Sequence, residues 1–267
     1  MMQFWDSVAL WQGRRGAIGG ETIGFVPTMG ALHRGHASLV ERCRAENELV
    51  VVSIFVNPTQ FNDPQDLERY PRTLDRDLAL LESLGVDEVL APPATDFYPH
   101  GYRYRVEPSL GGTAGVAGTP AIMEAAHRPG FLQGVLTVVM KLLNMVRPHR
   151  AYFGEKDFQQ LRSVTEMVEE FFIPTRIIAC PTVRAASGLA ESSRNARLSP
   201  AGREKAAALY RALVESPNSG DARRVLEAEG FGVEYVEEHW GRRLAAVFLE
   251  GVRLIDNVPV GEGRAGR

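Results

Sequence analysis

From residue 22 to residue 180 the chain alternates short apolar runs with segments whose apolar positions recur at helical spacing. "TIGFVPT" is apolar and β-branched, which predicts a buried strand over 22–26. "RGHASLVERCRAEN" spaces leucine, valine and cysteine between charges and predicts a helix. "ELVVVSIFV" is a continuous apolar run, as a strand covered on both faces of a parallel sheet requires. "NPTQFNDPQDLERYPRT" carries the Pro, Asn and Asp of a loop, with Tyr70–Arg72 expected to cap the next helix. "LDRDLALLESLG" is a helix closed by Gly85, and "VDEVLAPP" a strand stopped by proline. Further on come a buried helix, "GVLTVVMKLLNMVRP", a short strand, "RAYFG", a helix, "DFQQLRSVTEMVEEFF", with Asp157 as a candidate N-cap, and a strand, "TRIIACPTV". Strands that alternate with helices predict an α/β architecture, a Rossmann-like doubly wound parallel sheet with right-handed crossovers.

The pattern changes near Val183. "SPAGREKAAALYRALVES" is a capped, charged helix, "PNSGD" a turn, and "ARRVLEAEG" a second helix. "FGVEYVEEHW" and "RRLAAVFLEGVRLIDN" then read as amphipathic strands. Two helices followed by strands predict a smaller C-terminal α+β domain, so the expected division is 1–182 and 183–267. The tail "GEGRAGR" is expected to be disordered.

Composition narrows the class. A length of 267 residues permits one large domain or two smaller ones, with 45% hydrophobic and 24% charged residues. The formal net charge of -3 argues against a polybasic nucleic-acid surface, while leaving room for a local anion pocket. Two cysteines, Cys43 and Cys180, point to a reducing compartment with no disulfide framework, both expected as small buried residues. The N-terminus lacks a long apolar segment with a cleavage site, and no window approaches a membrane span. A cytoplasmic protein is expected.

Four clusters carry candidate chemistry, and each falls at the carboxyl end of a strand or at the domain joint. Ligands of open parallel sheets bind at such ends. In "PTMGALHRGH", Pro27–His36, the helix opens near His33–Gly35, so its first amides and its positive dipole end face the crevice. The dipole alone favours a phosphate there by about 0.3–1 kcal/mol. His33 and His36, three apart, project on one side of the first turn and can stabilise charge on a transferring phosphorus, and Gly35 lets phosphate or sugar approach. The segment is neither a P-loop nor a dinucleotide fingerprint. Taken alone, its two histidines read equally well as helix-start residues with surface hydrogen bonds.

In "GEKDFQQ", Lys156 supplies a fixed charge for phosphate, and the glutamine pair offers donors and acceptors for a polar substrate. In "SGLAESSRN", the serine hydroxyls and Arg194 can hold phosphate oxygens on a hinge. In "FVNPTQF", Asn57 and Gln60 can bind a carboxylate and hydroxyls without adding charge, although Asn57-Pro58 is also ordinary turn chemistry.

Together "VPTMGALHRGH", "SIFVNPTQF", "RYPRTL", "GEKDFQQL", "GLAESSRN" and "RLIDNVPV" closely resemble the pantothenate synthetase (pantoate–β-alanine ligase) family, in order, from about Ile23 to Pro259. H-x-G-H by itself marks only the wider nucleotidyltransferase superfamily. The resemblance implies adenylation of pantoate by ATP and magnesium, pyrophosphate release, and attack by β-alanine to give pantothenate and AMP. It implies an ATP site of Pro27, Thr28, Met29, Gly30, Ala31, Leu32, His33, Arg34, Gly35, His36, Gly154, Glu155, Lys156, Asp157, Val183, Glu191, Ser192, Ser193 and Arg194. Gln60 and Gln160 match pantoate-binding positions, and Asn57 stands beside Gln60. His36, His33, Lys156, Ser192, Ser193 and Arg194 are expected to carry catalysis, His36 as the family's proton donor. No residue is assigned to a metal: magnesium is expected on ATP phosphates and water. A homodimer with a mobile C-terminal domain is implied.

Some positions depart from the family. Ser187 replaces an aspartate, Glu191 an apolar residue, and Phe131 a histidine, while Arg76 stands where acidic or neutral residues are usual. A carboxylate at 191 facing the nucleotide would repel phosphate. Three other readings stay open: a nucleotidyltransferase that leaves the nucleotide on its product, a class I aminoacyl-tRNA synthetase, and a silent nucleotide-binding paralogue. The short chain, its acidity and the missing K-M-S-K-S element oppose the second.

Overall fold

A computed structural model of the chain describes residues 2–108 and 121–260. The tail read as disordered, 261–267, lies outside the described residues. The chain divides into two compact units, Met1–Glu155 with Gln159–Cys180, and Lys156–Phe158 with Pro181–Arg267. Residues 156–158, placed in the first domain by sequence, group with the second unit.

In the first unit, six parallel strands run β1 (Gln3–Trp5), β2 (Ile23–Thr28), β3 (Leu49–Ile54), β4 (Glu88–Leu90), β5 (Arg150–Gly154) and β6 (Arg176–Cys180), in spatial order β1-β4-β3-β2-β5-β6. Helices α1 (Val8–Ala17), α2 (Arg34–Glu46), α3 (Pro64–Glu68), α4 (Leu74–Ser83), α5 (Ala94–Phe97), α6 (Met123–His127), α7 (Phe131–Val146) and α8 (Phe158–Glu170) intervene. The sequence pattern resolved β2–β6, α2, α4, α7 and α8, but not α1, α5 or α6. It did not resolve β1, which is three residues long and pairs with β4 far away in sequence, Trp5 Nε1 donating to buried Glu88 at 2.7 Å. The loop read over 57–73 also contains a 3-10 turn at Pro58–Gln60 and α3, each led by proline behind an Asn57 or Asp63 cap. Val26 packs with Leu39, Val40 and Cys43 of α2, and Phe25 points to the opposite face.

The chain leaves β2 toward β3 and β4 on one side, and β5 leads to β6 on the other, so strand order reverses between β2 and β5. Pro27 opens the sheet there. Ile23 exchanges hydrogen bonds with His149 on the β5 side, so alternation puts Phe25 and Pro27 on that side too. Pro27 has no N–H to give, and the β2–β5 ladder ends at Phe25↔Ala151 while the β2–β3 ladder continues to Thr28↔Ile54.

In the second unit, α9 (Pro200–Glu215) and α10 (Ser219–Ala228) pack on an antiparallel sheet of β7 (Gly232–His239), β8 (Arg242–Leu249) and β9 (Val252–Pro259). The single strand read over 242–257 is therefore a hairpin. Glu250 and Gly251, φ 52° and 72°, form its turn, as Trp240 and Gly241 do between β7 and β8. Among the described residues no helix is long and apolar enough to cross a membrane. Both cysteines are buried, and burial pushes the Cys43 thiol up to about 12, which removes it as a nucleophile.

Candidate active site

The H-x-G-H turn leaves β2 at the order reversal. His33 is the N-cap of α2, and its Nδ1 accepts from Gly35 N at 3.1 Å. His36 Nδ1 accepts from His33 N at 3.3 Å, completing a reciprocal capping box built from two imidazoles. An imidazole nitrogen that accepts carries no proton, so both neutral rings hold theirs on Nε2. The ring centroids lie 4.1 Å apart. No acidic residue occupies the first turn of α2 itself, where the helix dipole is positive. Two Nε2–H donors of fixed tautomer beside a helix N-terminus suit a phosphate.

Of the ten residues in this segment, Thr28, Gly30 and Leu32 are buried and support the turn from beneath. Thr28 Oγ1 donates to Ser53 O at 2.7 Å and accepts from Gly30 N at 3.2 Å. Gly30 and Ala31 have φ of 75° and 50°, and a left-handed alanine is strained. The restraint is Asp77 of α4. Its carboxylate, 1% exposed, accepts from Ala31 N and Leu32 N, each at 2.8 Å, and from Thr73 Oγ1 at 3.1 Å. Sequence reasoning did not find Asp77. The available signal was a carboxylate at an apolar-face position of α4.

Beyond β3, Asn57 is 1% exposed and its groups are engaged. Its amide donates to Gln60 Oε1 and Gly134 O, both at 3.1 Å, and its oxygen accepts from Tyr98 OH at 2.8 Å and Thr59 Oγ1 at 3.0 Å. Asn57, expected at the substrate, shapes the turn that presents Gln60, because burial obliges each polar atom to find a partner. Gln60 Nε2 points at Met29 Sδ, 3.1 Å away, which brings this turn against the H-x-G-H segment. Arg128 donates to Gln60 O at 3.2 Å and lies 3.7 Å over Phe131, so the phenyl ring at this departure position is a platform for the guanidinium. Gly134 lets α7 press on the same turn: a Cβ there would stand 2.4 Å from Thr59 O. Gly134→Ala must push Gln60 away, and we expect about 1–3 kcal/mol lost in stability. Thermal unfolding checks it.

Of the glutamine pair after β5, Gln159 is 2% exposed and spans Glu124 N and Ile122 O. Gln160 is half-buried. The segment Glu155–Asp157 is a 3-10 turn running into α8, so Asp157 is not placed as a simple cap; its carboxylate lies 3.8 Å from Lys156 Nζ. In the second unit, Lys156, Ser192, Asn195 and Asp256 line one small cavity. Ser192 caps a 3-10 helix, Ser193–Arg197, accepting from Arg194 N at 3.2 Å. Glu191 N bonds Val183 O at 2.9 Å, closing a hairpin whose exposed tip holds Ser187. Among the described residues no group of three or more His, Cys, Asp or Glu is placed to hold a metal ion.

Comparison with known proteins identifies the family. The family model described as pantoate-beta-alanine ligase matches residues 6–259. A pantothenate synthetase of Bdellovibrio bacteriovorus is 53% identical over 239 residues, covering 90% of this chain and 92% of its own. One of Legionella pneumophila is 47% identical over 257 residues, covering 96% and 99%. Among solved structures, the pantoate-beta-alanine ligase of Francisella tularensis, complexed with beta-gamma ATP and beta-alanine, matches with a TM-score of 0.90 at 41% identity, over 97% of this chain and 98% of that one. With its paired histidines at the sheet's order reversal and its sequence matched nearly end to end, this chain belongs to the pantoate-beta-alanine ligase family.

Proposed function

We propose that the protein activates pantoate with ATP as pantoyl adenylate and passes the pantoyl group to β-alanine, releasing pyrophosphate, then AMP and pantothenate. A carboxylate is a poor electrophile because its leaving group would be oxide; adenylation supplies a good one. Such a reaction needs charge stabilisation and positioning rather than a protein nucleophile. The observation that carries this reading is the double-histidine capping box, which fixes two Nε2–H donors at a helix N-terminus. His33 and His36 would meet phosphate oxygens, as would Lys156, Ser192, Ser193 and Arg194. Gln60 and Gln160 would orient pantoate, with Asn57 holding Gln60. Magnesium would arrive on ATP, held by phosphate oxygens and water. The first unit is proposed to bind ATP and pantoate, the second to serve as a lid. A homodimer in the cytoplasm is the setting the resemblance implies, and the mass in solution tests the assembly.

The test separates the two half-reactions. With ATP, magnesium and pantoate alone, about one equivalent of pyrophosphate per site is expected. Continuous release of AMP, with pantothenate found by mass, should require β-alanine as well. ATP binding without pyrophosphate release in any mixture would reject the reading.

A further inference from the structure

The motif "RLIDNVPV" has no part in the mechanism so far, yet its Asp256 and Asn257 are 3% and 2% exposed in the middle of β9. Buried polar side chains in a strand are retained where their hydrogen bonds are satisfied and specific. Here the bonds converge on two segments. Asn257 Nδ2 donates to Lys156 O at 2.9 Å, and its Oδ1 accepts from Arg242 Nη1 at 2.6 Å, which fixes the amide's orientation. Arg242 also stacks over Phe158, 4.5 Å from the ring centroid, with Trp240 on the same ring at 6.1 Å. The Lys156–Phe158 stretch is thus docked at its carbonyl and at its aromatic ring, and it groups with the second unit.

The second segment is the hairpin that leads into Ser192–Arg194. Arg184 at its base forms a two-pronged pair with Asp256, at 2.6 and 2.9 Å, and donates to Asn257 O at 3.1 Å and Gly188 O at 3.1 Å. Its guanidinium lies 4.0 Å over Tyr210. One dipeptide therefore grips both segments that line the Lys156–Ser192 cavity. A planar fork on a carboxylate and a doubly bonded amide fix angles as well as distances.

We propose that Asp256 and Asn257 are positioning residues for ATP: they set the register of Lys156 against Ser192–Arg194, so that the ammonium and the hydroxyls meet phosphate oxygens together. This rests on the reading of Lys156 and Ser192–Arg194 as phosphate-handling groups. Each residue of the pair acts through a partner.

Asn257→Asp is the sharpest probe. It keeps the size and the Arg242 contact but replaces the donor to Lys156 O with an acceptor. Pyrophosphate release is expected to fall about 10–100-fold, as misplacement of a catalytic group by about an ångström does. The KM for ATP should rise while those for pantoate and β-alanine stay within about twofold. In a cycle with Lys156→Ala, the double variant should be no slower than Lys156→Ala alone, because residues acting through one group are not additive. Arg242→Met, on a half-exposed strand position, frees the same amide without adding charge and should show the same ATP-selective change if Asn257→Asp does not fold. Additive slowing in the cycle overturns the proposal. So do wild-type ATP parameters in the folded probe variant while Lys156→Ala is slow. A Lys156→Ala variant as fast as wild type would instead overturn the reading of Lys156 itself.

Discussion

His36→Asn is expected to fold as well as the wild type and to release pyrophosphate about 10²–10³-fold more slowly, the usual consequence of losing one donor to developing charge. The substitution divides the two tasks of the ring. Asparagine Oδ1 stands where Nδ1 stood and can still accept from His33 N, a bond of 3.3 Å in the wild type. Nothing replaces Nε2–H. His33→Asn makes the matching change, its oxygen accepting from Gly35 N in place of a bond of 3.1 Å. Pyrophosphate release from pantoate and MgATP measures the chemistry, and thermal unfolding measures the cap. A shift in Tm under about 2 °C would place the loss in the chemistry, since about 1 kcal/mol moves Tm by about 2–4 °C at this size. Near wild-type release from both variants would remove the histidines from the mechanism. A rate loss matched by a large fall in Tm would make them structural caps.

Asp77→Asn should damage stability and activity together. The carboxylate offers oxygens to Ala31 N, Leu32 N and Thr73 Oγ1. An amide has one oxygen, and its NH₂ must then face a backbone donor. An unsatisfied buried N–H costs about 1–3 kcal/mol. The restraint also holds two consecutive left-handed residues, Gly30 and Ala31, and conformations of that kind persist only when their surroundings over-determine them. A fall in Tm of about 3–10 °C is expected. Release of the turn displaces His33 and His36, so pyrophosphate release should fall about 10–100-fold. Asp77→Asn with wild-type rate and Tm would show that the turn holds itself. Asp77→Glu, with two oxygens on a longer arm, should recover part of the rate if the carboxylate is the clamp.

The sequence determined much of this protein alone. Continuous apolar runs mark strands buried on both faces and 3.6-residue periodicity marks helices, so β2 to β6 and the long helices were legible. So were the start of α2 near His33–Gly35, the closing Gly85 and the chemical character of the H-x-G-H, GEKD and SSRN segments. These depend on neighbours within a few positions. Short elements gave weaker signals. β1 has only three residues, and the Glu250-Gly251 turn is too brief to interrupt an apolar run, which hid a hairpin.

Only the tertiary structure decided which polar residues are engaged in holding the fold. Asp77 clamps Ala31 across 46 residues, Asn257 holds the Lys156 carbonyl across 101, and Arg184 reaches Asp256 across 72. An amide in a loop is chemically suited to a ligand, and at Asn57 burial engages that amide with Gln60 and Gly134. The glutamine pair divided likewise: Gln159 is sealed against the Ile122–Glu124 segment, and Gln160 stays half-buried. The physical reason is common to all of them. A side chain's chemistry is local and can be read from its type, whereas its burial and partners are set by strand order, which joins residues that no short-range pattern connects.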